Sequence, residues 1–148
     1  MFQFQKFTLA NMKKFTTLKR EFFRVSGLQR AQVHISGGLD SAVAAAISVA
    51  AMGNEHCFFI SNPTTYNSEE TKGLAQRIAD YLKVKLWWNQ TGEIVDLITR
   101  THEISFGDEL VSTGVASVHA VTRTVQGLAA SHFFSSGIVA AGNHTEIV

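Results

Sequence analysis

One cysteine and one proline stand among 148 residues. A single thiol excludes a disulfide scaffold, and a chain this long can bury about two thirds of the surface its unfolded form exposes, so it needs no staple to own a core. No window approaches about 18 consecutive apolar residues, which excludes a membrane-spanning helix, and the N-terminus lacks the basic, apolar, small-residue order of a secretory signal. Charge of one sign is also scarce. Thirteen Lys and Arg against 12 Asp and Glu leave a formal net charge of +1, too weak a field to argue for nucleic acid. Lys13, Lys14, Lys19 and Arg20 make the one basic cluster, read as a solvated helix face. The six histidines are too scattered for a ligand-spaced metal cluster, and Cys57, in the apolar run His56 to Ile60, reads as a small buried hydrophobe. These features point to one cytoplasmic globular domain that serves neither nucleic acid nor membrane.

What is present is an alternation of short β-prone runs and helical patterns. Phe15, Leu18, Phe22 and Val25 recur at spacings of three and four, so about Ala10 to Val25 reads as an amphipathic helix stopped by Gly27. Ala31 to Ile35 reads as a strand, followed by a helix from about Ser41 to Met52. A strand at His56 to Ile60 and a helix from about Ser68 to Leu82 follow, with Asn67 and Glu70 in the arrangement of a capping box. Val84 to Trp88 is a third apolar segment, Thr91 a candidate cap for a helix over Glu93 to Thr101, and Ser105 to Gly114 a loop. Val118, Val121, Val125 and Leu128 mark a further helix before a fourth strand, Gly137 to Ala141. Strands separated by helices imply an α/β fold, a parallel sheet covered on both faces. Phe2, Phe4 and Phe7 at the start read as a stray strand or a staple to the core.

In an open parallel sheet, ligands bind where loops leave the carboxyl ends of the strands. The first such loop is Ser36-Gly37-Gly38-Leu39-Asp40-Ser41. Two adjacent glycines let the backbone approach an anion, two hydroxyls add donors, and the following helix presents its positive end, which together make a phosphate cradle. Asp40 would repel phosphates unless a divalent cation stood between them, so it reads as a magnesium ligand. The plainer alternative is a glycine turn with Asp40 as helix cap. The loop has neither the Gly-Lys-Ser/Thr ending of a Walker A sequence nor the spacing of a dinucleotide fingerprint.

SGGLDS resembles the pyrophosphate loop of the N-type ATP pyrophosphatases. The extension VHISGGLDSAVAAAISVAAMG, then NPTTYNSEET, then GNHTE, is most similar to the synthetase domain of NAD synthetases, in particular the glutamine-dependent type. The resemblance implies a Rossmann-like, adenine nucleotide alpha hydrolase-like sheet and a ligase that consumes ATP. In that reaction the carboxylate of nicotinic acid adenine dinucleotide attacks the α-phosphate of ATP. Pyrophosphate leaves, and ammonia, free or derived from glutamine, then displaces AMP to give NAD. The resemblance also implies Mg²⁺ and a homodimer formed through helices.

Carried over residue by residue, the family's ATP-binding positions fall on Ser36, Gly37, Gly38, Leu39, Asp40 and Ser41, with Pro63 in the motif after the second strand, near Tyr66, Asn67 and Ser68. Asp40 is the implied catalytic and metal residue, Glu146 the second metal ligand and Arg123 the substrate contact. Two positions depart. Val121 stands where the family has the arginine that meets the dinucleotide, and Ala141 where it has a threonine on ATP. Full synthetases also continue past this glutamate and can carry an amidotransferase domain. The expectation is therefore that residues 1–148 form a single ATP-pyrophosphatase-type domain whose C-terminal part is missing, with an ATP-Mg-binding module without turnover as the alternative to an active ligase.

Overall fold

The computed structural model describes residues 8–63, 69–108 and 111–139. Along the chain run α1 (Leu9–Ser26), β1 (Arg30–His34), α2 (Leu39–Met52), a single 3-10 turn (Asn54–His56), β2 (Cys57–Ser61), α3 (Glu69–Leu82), β3 (Leu86–Trp88), α4 (Gly92–Phe106), α5 (Ser112–Phe134) and β4 (Ser136–Val139). The four strands form one wholly parallel sheet in the order β3-β2-β1-β4. Val33 in β1 sits opposite Phe59 on one side and Val139 on the other.

Alternation along β1 separates the two faces. Ala31, Val33 and Ile35 join Phe59 of β2 and Phe23, Ala45, Ala75 and Ala79 from α1, α2 and α3 in the main core. Gln32 and His34 point the other way, where α5 crosses and α4 packs against it. β2 is buried at every position because both its faces are covered: Phe59 faces the core while Phe58 meets the Phe134 ring at 4.9 Å. A parallel strand of this kind reads in sequence as an unbroken apolar run, which CFFI is. The α/β fold with helices on both faces is thus as expected, and Cys57 is buried.

Several local expectations are corrected. The interval Ser105 to Gly114 is mostly helical, because α4 continues to Phe106, where Gly107 caps it at φ 77°, and α5 begins at Ser112. Thr91 makes no side-chain cap bond; it lies wholly buried in helical backbone conformation. The basic cluster is not all solvated. Lys19 donates to the Ser48 hydroxyl at 2.9 Å, and Arg20 donates to the carbonyls of Ala50 and Ala51 at 3.1 Å, closing the C-terminal end of α2. Burial accordingly lowers the Lys19 ammonium pKa.

The apolar stripe that marks α1 as a helix does not enter the core. Phe23 does, while Phe15, Leu18, Phe22 and Val25 are all about half exposed or more. Val121, Val125 and Leu128 on α5 are similarly exposed. No helix among the described residues is long and apolar enough to cross a membrane. The proposed capping box at Asn67, the run Phe2 to Phe7, and Ala140 and Ala141 of the fourth strand lie outside the described residues.

Candidate active site

β1 ends at His34 and the chain turns through Ser36, Gly37 and Gly38 into α2, whose first turn carries Leu39, Asp40 and Ser41. Gly37 adopts φ 86°, a conformation that L side chains rarely take, and packs its backbone against Thr71 of α3. The two serines brace the loop from within. Ser41 Oγ donates to Gly38 O at 2.8 Å and accepts from the Ser36 amide at 3.3 Å, while Ser36 Oγ lies 3.2 Å from Ser41 Oγ and accepts from the Gly38 amide at 3.3 Å. The hydroxyls therefore set the loop's shape. The first-turn amides of Leu39, Asp40 and Ser41 have no carbonyl one turn earlier inside the helix, so they remain available at its positive end.

Gly38, not Asp40, is the N-cap of α2. Asp40 sits in the exposed first turn and makes no hydrogen bond or ion pair among the described residues. Both carboxylate oxygens are thus without a partner among the described residues, as they would need to be to ligate a hard divalent cation.

Among the described residues, two clefts flank the loop after β1. The larger, about 560 Å³, lies between the loop, Arg123 and Gly127 of α5, and Ile138 and Val139 of β4. The smaller, about 130 Å³, lies between the end of β1, the segment Ser61 to Pro63 and the start of α3 at Thr71 and Lys72. His34, Ser36 and Arg123 line both.

Of the residues expected at the site, Ser36, Gly38, Leu39, Asp40, Ser41 and Arg123 thus meet at the larger cleft, and Pro63 borders the smaller. Gly37 lies in the turn between them. Val121 lines neither cleft and is 62% exposed, whereas Arg123, two residues on, reaches both. Glu146, Tyr66, Asn67 and Ser68 lie outside the described residues. Among the described residues no three potential metal-binding side chains cluster.

Residues 11–148 match the family model described as NAD synthase. The chain belongs to the NAD synthase family. It is 24% identical over 128 residues to the glutamine-dependent NAD(+) synthetase of Thermotoga maritima, a match that covers 86% of this chain and 22% of that protein. The structure of the glutamine-dependent NAD+ synthetase of Acinetobacter baumannii in complex with ADP superposes with a TM-score of 0.87 at 25% identity. That match covers 99% of this chain and 28% of the other. The NMN synthetase of Francisella tularensis shares the fold with a TM-score of 0.85 at 16% identity, over 95% of this chain and 57% of that one. This member of the NAD synthase family spans about a quarter of the length of the two glutamine-dependent relatives.

Sequence reasoning missed His34 and Asn62, which line the clefts, and the wholly buried Gln32 behind them. The signal available was position alone, since His34 and Asn62 stand at the carboxyl ends of adjacent strands. Gln32 Nε2 donates to Gly127 O at 3.1 Å and lies 2.9 Å from His34 Nε2, whose ring contacts Asn62 at 3.3 Å. Burial, aided by the Arg123 cation, holds the His34 imidazole below the ordinary histidine range.

Proposed function

We propose that this chain is the nucleotide-binding part of an NAD synthetase, a cytoplasmic ligase that amidates nicotinic acid adenine dinucleotide at the expense of ATP. In this reading residues 1–148 belong to one ATP-pyrophosphatase-type domain. The observation that carries it is the SGGLDS loop, braced by its own serines, at the junction of β1 and α2 beside a 560 Å³ cleft.

The chemistry asked of the site is charge management. The helix amides after Gly38 and the Arg123 guanidinium provide positive potential for phosphates, and the same groups would stabilise the departing pyrophosphate. Asp40, with Glu146 as its expected companion, would hold Mg²⁺, which when bound neutralises phosphate oxygens and orients the chain of phosphates. The attacking carboxylate is already ionised at pH 7, so the first step asks for no general base. It attacks the α-phosphorus and expels pyrophosphate; ammonia then adds to the acyl carbon of the adenylate, loses a proton, and AMP leaves. The ADP bound by the Acinetobacter relative supports an adenine nucleotide here. A second copy of the chain on the exposed apolar faces of α1 or α5 is part of the same reading.

A second reading, ATP-Mg binding without turnover, is favoured by Val121, which offers no charge where the family's dinucleotide contact stands. Calorimetric titration of ATP with and without Mg²⁺ tests the common part. Binding that depends on Mg²⁺, with the dependence removed by Asp40→Ala, is expected. Gly38→Val should weaken binding without unfolding the chain, because Gly38 has φ −82° and only Ser36 Oγ lies near its missing side chain. Equal titrations in all conditions would refute the nucleotide assignment. A mixture of the chain with ATP, Mg²⁺, the deamido dinucleotide and ammonia separates the two readings, since stoichiometric NAD and AMP arise only from the ligase.

A further inference from the structure

We propose that His34 is a positioning residue of the nucleotide site, a neutral imidazole that ties α5 to the segment leaving β2 and thereby sets Asn62 and Arg123 for acceptor atoms of the nucleotide. The proposal rests on the nucleotide-binding reading above.

Hydrogen-bond bookkeeping fixes the state of the ring. Gln32 is wholly buried, and the Gly127 carbonyl, which can only accept, faces its Nε2 at 3.1 Å. Its Oε1 accepts from the Ser136 hydroxyl at 3.4 Å, so both ends of the amide are assigned. The remaining Nε2 hydrogen faces His34 Nε2 at 2.9 Å. That ring nitrogen must therefore be the bare acceptor, and the ring proton resides on Nδ1.

Nδ1–H in turn needs an acceptor, and the atom placed opposite it at 3.3 Å is Asn62 Nδ2, a second donor, so the amide must be turned about to exchange its nitrogen and oxygen. Asn62 Oδ1 is the natural partner, since it is otherwise buried with none. With the amide oriented to present that oxygen to the ring, its NH2 takes the buried place that has no partner among the described residues, just behind the wall of the smaller cleft that Asn62 lines. An unsatisfied buried donor is costly until a ligand acceptor reaches it, which makes the site selective for acceptor-rich ligands.

Packing holds the ring in place. A β-carbon on Gly127 would lie 3.0 Å from both Cε1 and Nε2 of His34, so α5 rests directly on the imidazole. Arg123, one turn earlier on α5, faces the ring and both clefts. The other charged groups around it are Lys72 of α3, paired with Glu69, and Asp40 across the larger cleft. One imidazole thus sets the spacing between an α5 cation and a β2 amide on opposite sides of the loop.

The test combines ring nitrogen NMR of the wild-type chain with calorimetry of ATP-Mg binding to His34→Leu and His34→Gln. Leu fills the space against Gly127 without hydrogen bonds, whereas Gln keeps an acceptor toward Gln32. A proton on Nδ1 and a bare Nε2 at neutral pH are expected, with affinity about five- to tenfold weaker in His34→Leu and mostly restored in His34→Gln. A proton on Nε2, a Leu variant that binds as well as wild type, or a Gln variant no better than Leu would each overturn the proposal. Should the wild-type chain itself fail to bind ATP-Mg, the nucleotide reading falls and takes this one with it. If wild type binds and His34→Leu binds equally, only the role of His34 falls.

Discussion

Gly37 of the loop and Thr71 of α3 touch so closely that a β-carbon on the glycine would overlap the Thr71 carbonyl oxygen. The residue is thus constrained twice, by contact and by φ 86°. Gly37→Ala is expected to lose at least about 1–2 kcal/mol of stability from the left-handed backbone alone, and to displace the loop from α3. Denaturant melts give the first effect and ATP-Mg titration the second. A variant as stable as wild type would show that the loop relaxes freely.

Arg20 reaches from α1 to the last carbonyls of α2, supplying donors where the helix has none of its own. Arg20→Ala should cost about 1–2 kcal/mol in denaturant unfolding, and Arg20→Lys should recover part of it. Equal stability of all three chains would show that water replaces the guanidinium.

Burial pushes the Cys57 thiol up to about 11, with Lys19 pulling weakly the other way. At pH 8 only about one part in a thousand is thiolate, so labelling by a thiol reagent should be far slower in the folded chain than in denaturant and should quicken with each step of pH. The unfolded chain releases this proton first, so folding loses stability as pH rises from the ordinary thiol value of 9.0 toward about 11. Cys57→Ser should remove that slope from the alkaline limb of the melt profile.

Val121 is expected to leave nicotinic acid adenine dinucleotide weakly bound or unbound even with ATP-Mg present. Val121→Arg should raise affinity for the dinucleotide several-fold while leaving ATP-Mg binding unchanged. Tight binding by the wild-type chain would show that Arg123 already serves the dinucleotide.

The order of elements and the glycine turn between β1 and α2 were legible because each rests on local rules. Strand, glycine turn and helix start leave marks within a few residues, and the continuous run CFFI announces a strand covered on both faces. Periodicity was less informative about what covers a face. Phe15, Leu18, Phe22 and Val25 mark a helix correctly, yet the residue that enters the core is Phe23, because the register of α1 against α2 is set by Lys19 and Arg20. Gln32, His34, Asn62 and Gly127 were illegible for a different reason. Their relation spans up to 95 residues and exists only after β1, β2 and α5 have met.

The strand order adds a matter of timing. β1 lies between β2, which follows it closely, and β4, whose Ser136 reaches Gln32 across 104 residues. At about 5–20 residues per second, a ribosome needs roughly 5–20 s to make that interval. During it the glycine loop and α2 can already be formed, but the larger cleft has no wall on the β4 side. A nascent chain therefore owns the glycine loop well before it owns the larger cleft, and a ligand of that cleft could stabilise the fold only as β4 arrives beside β1.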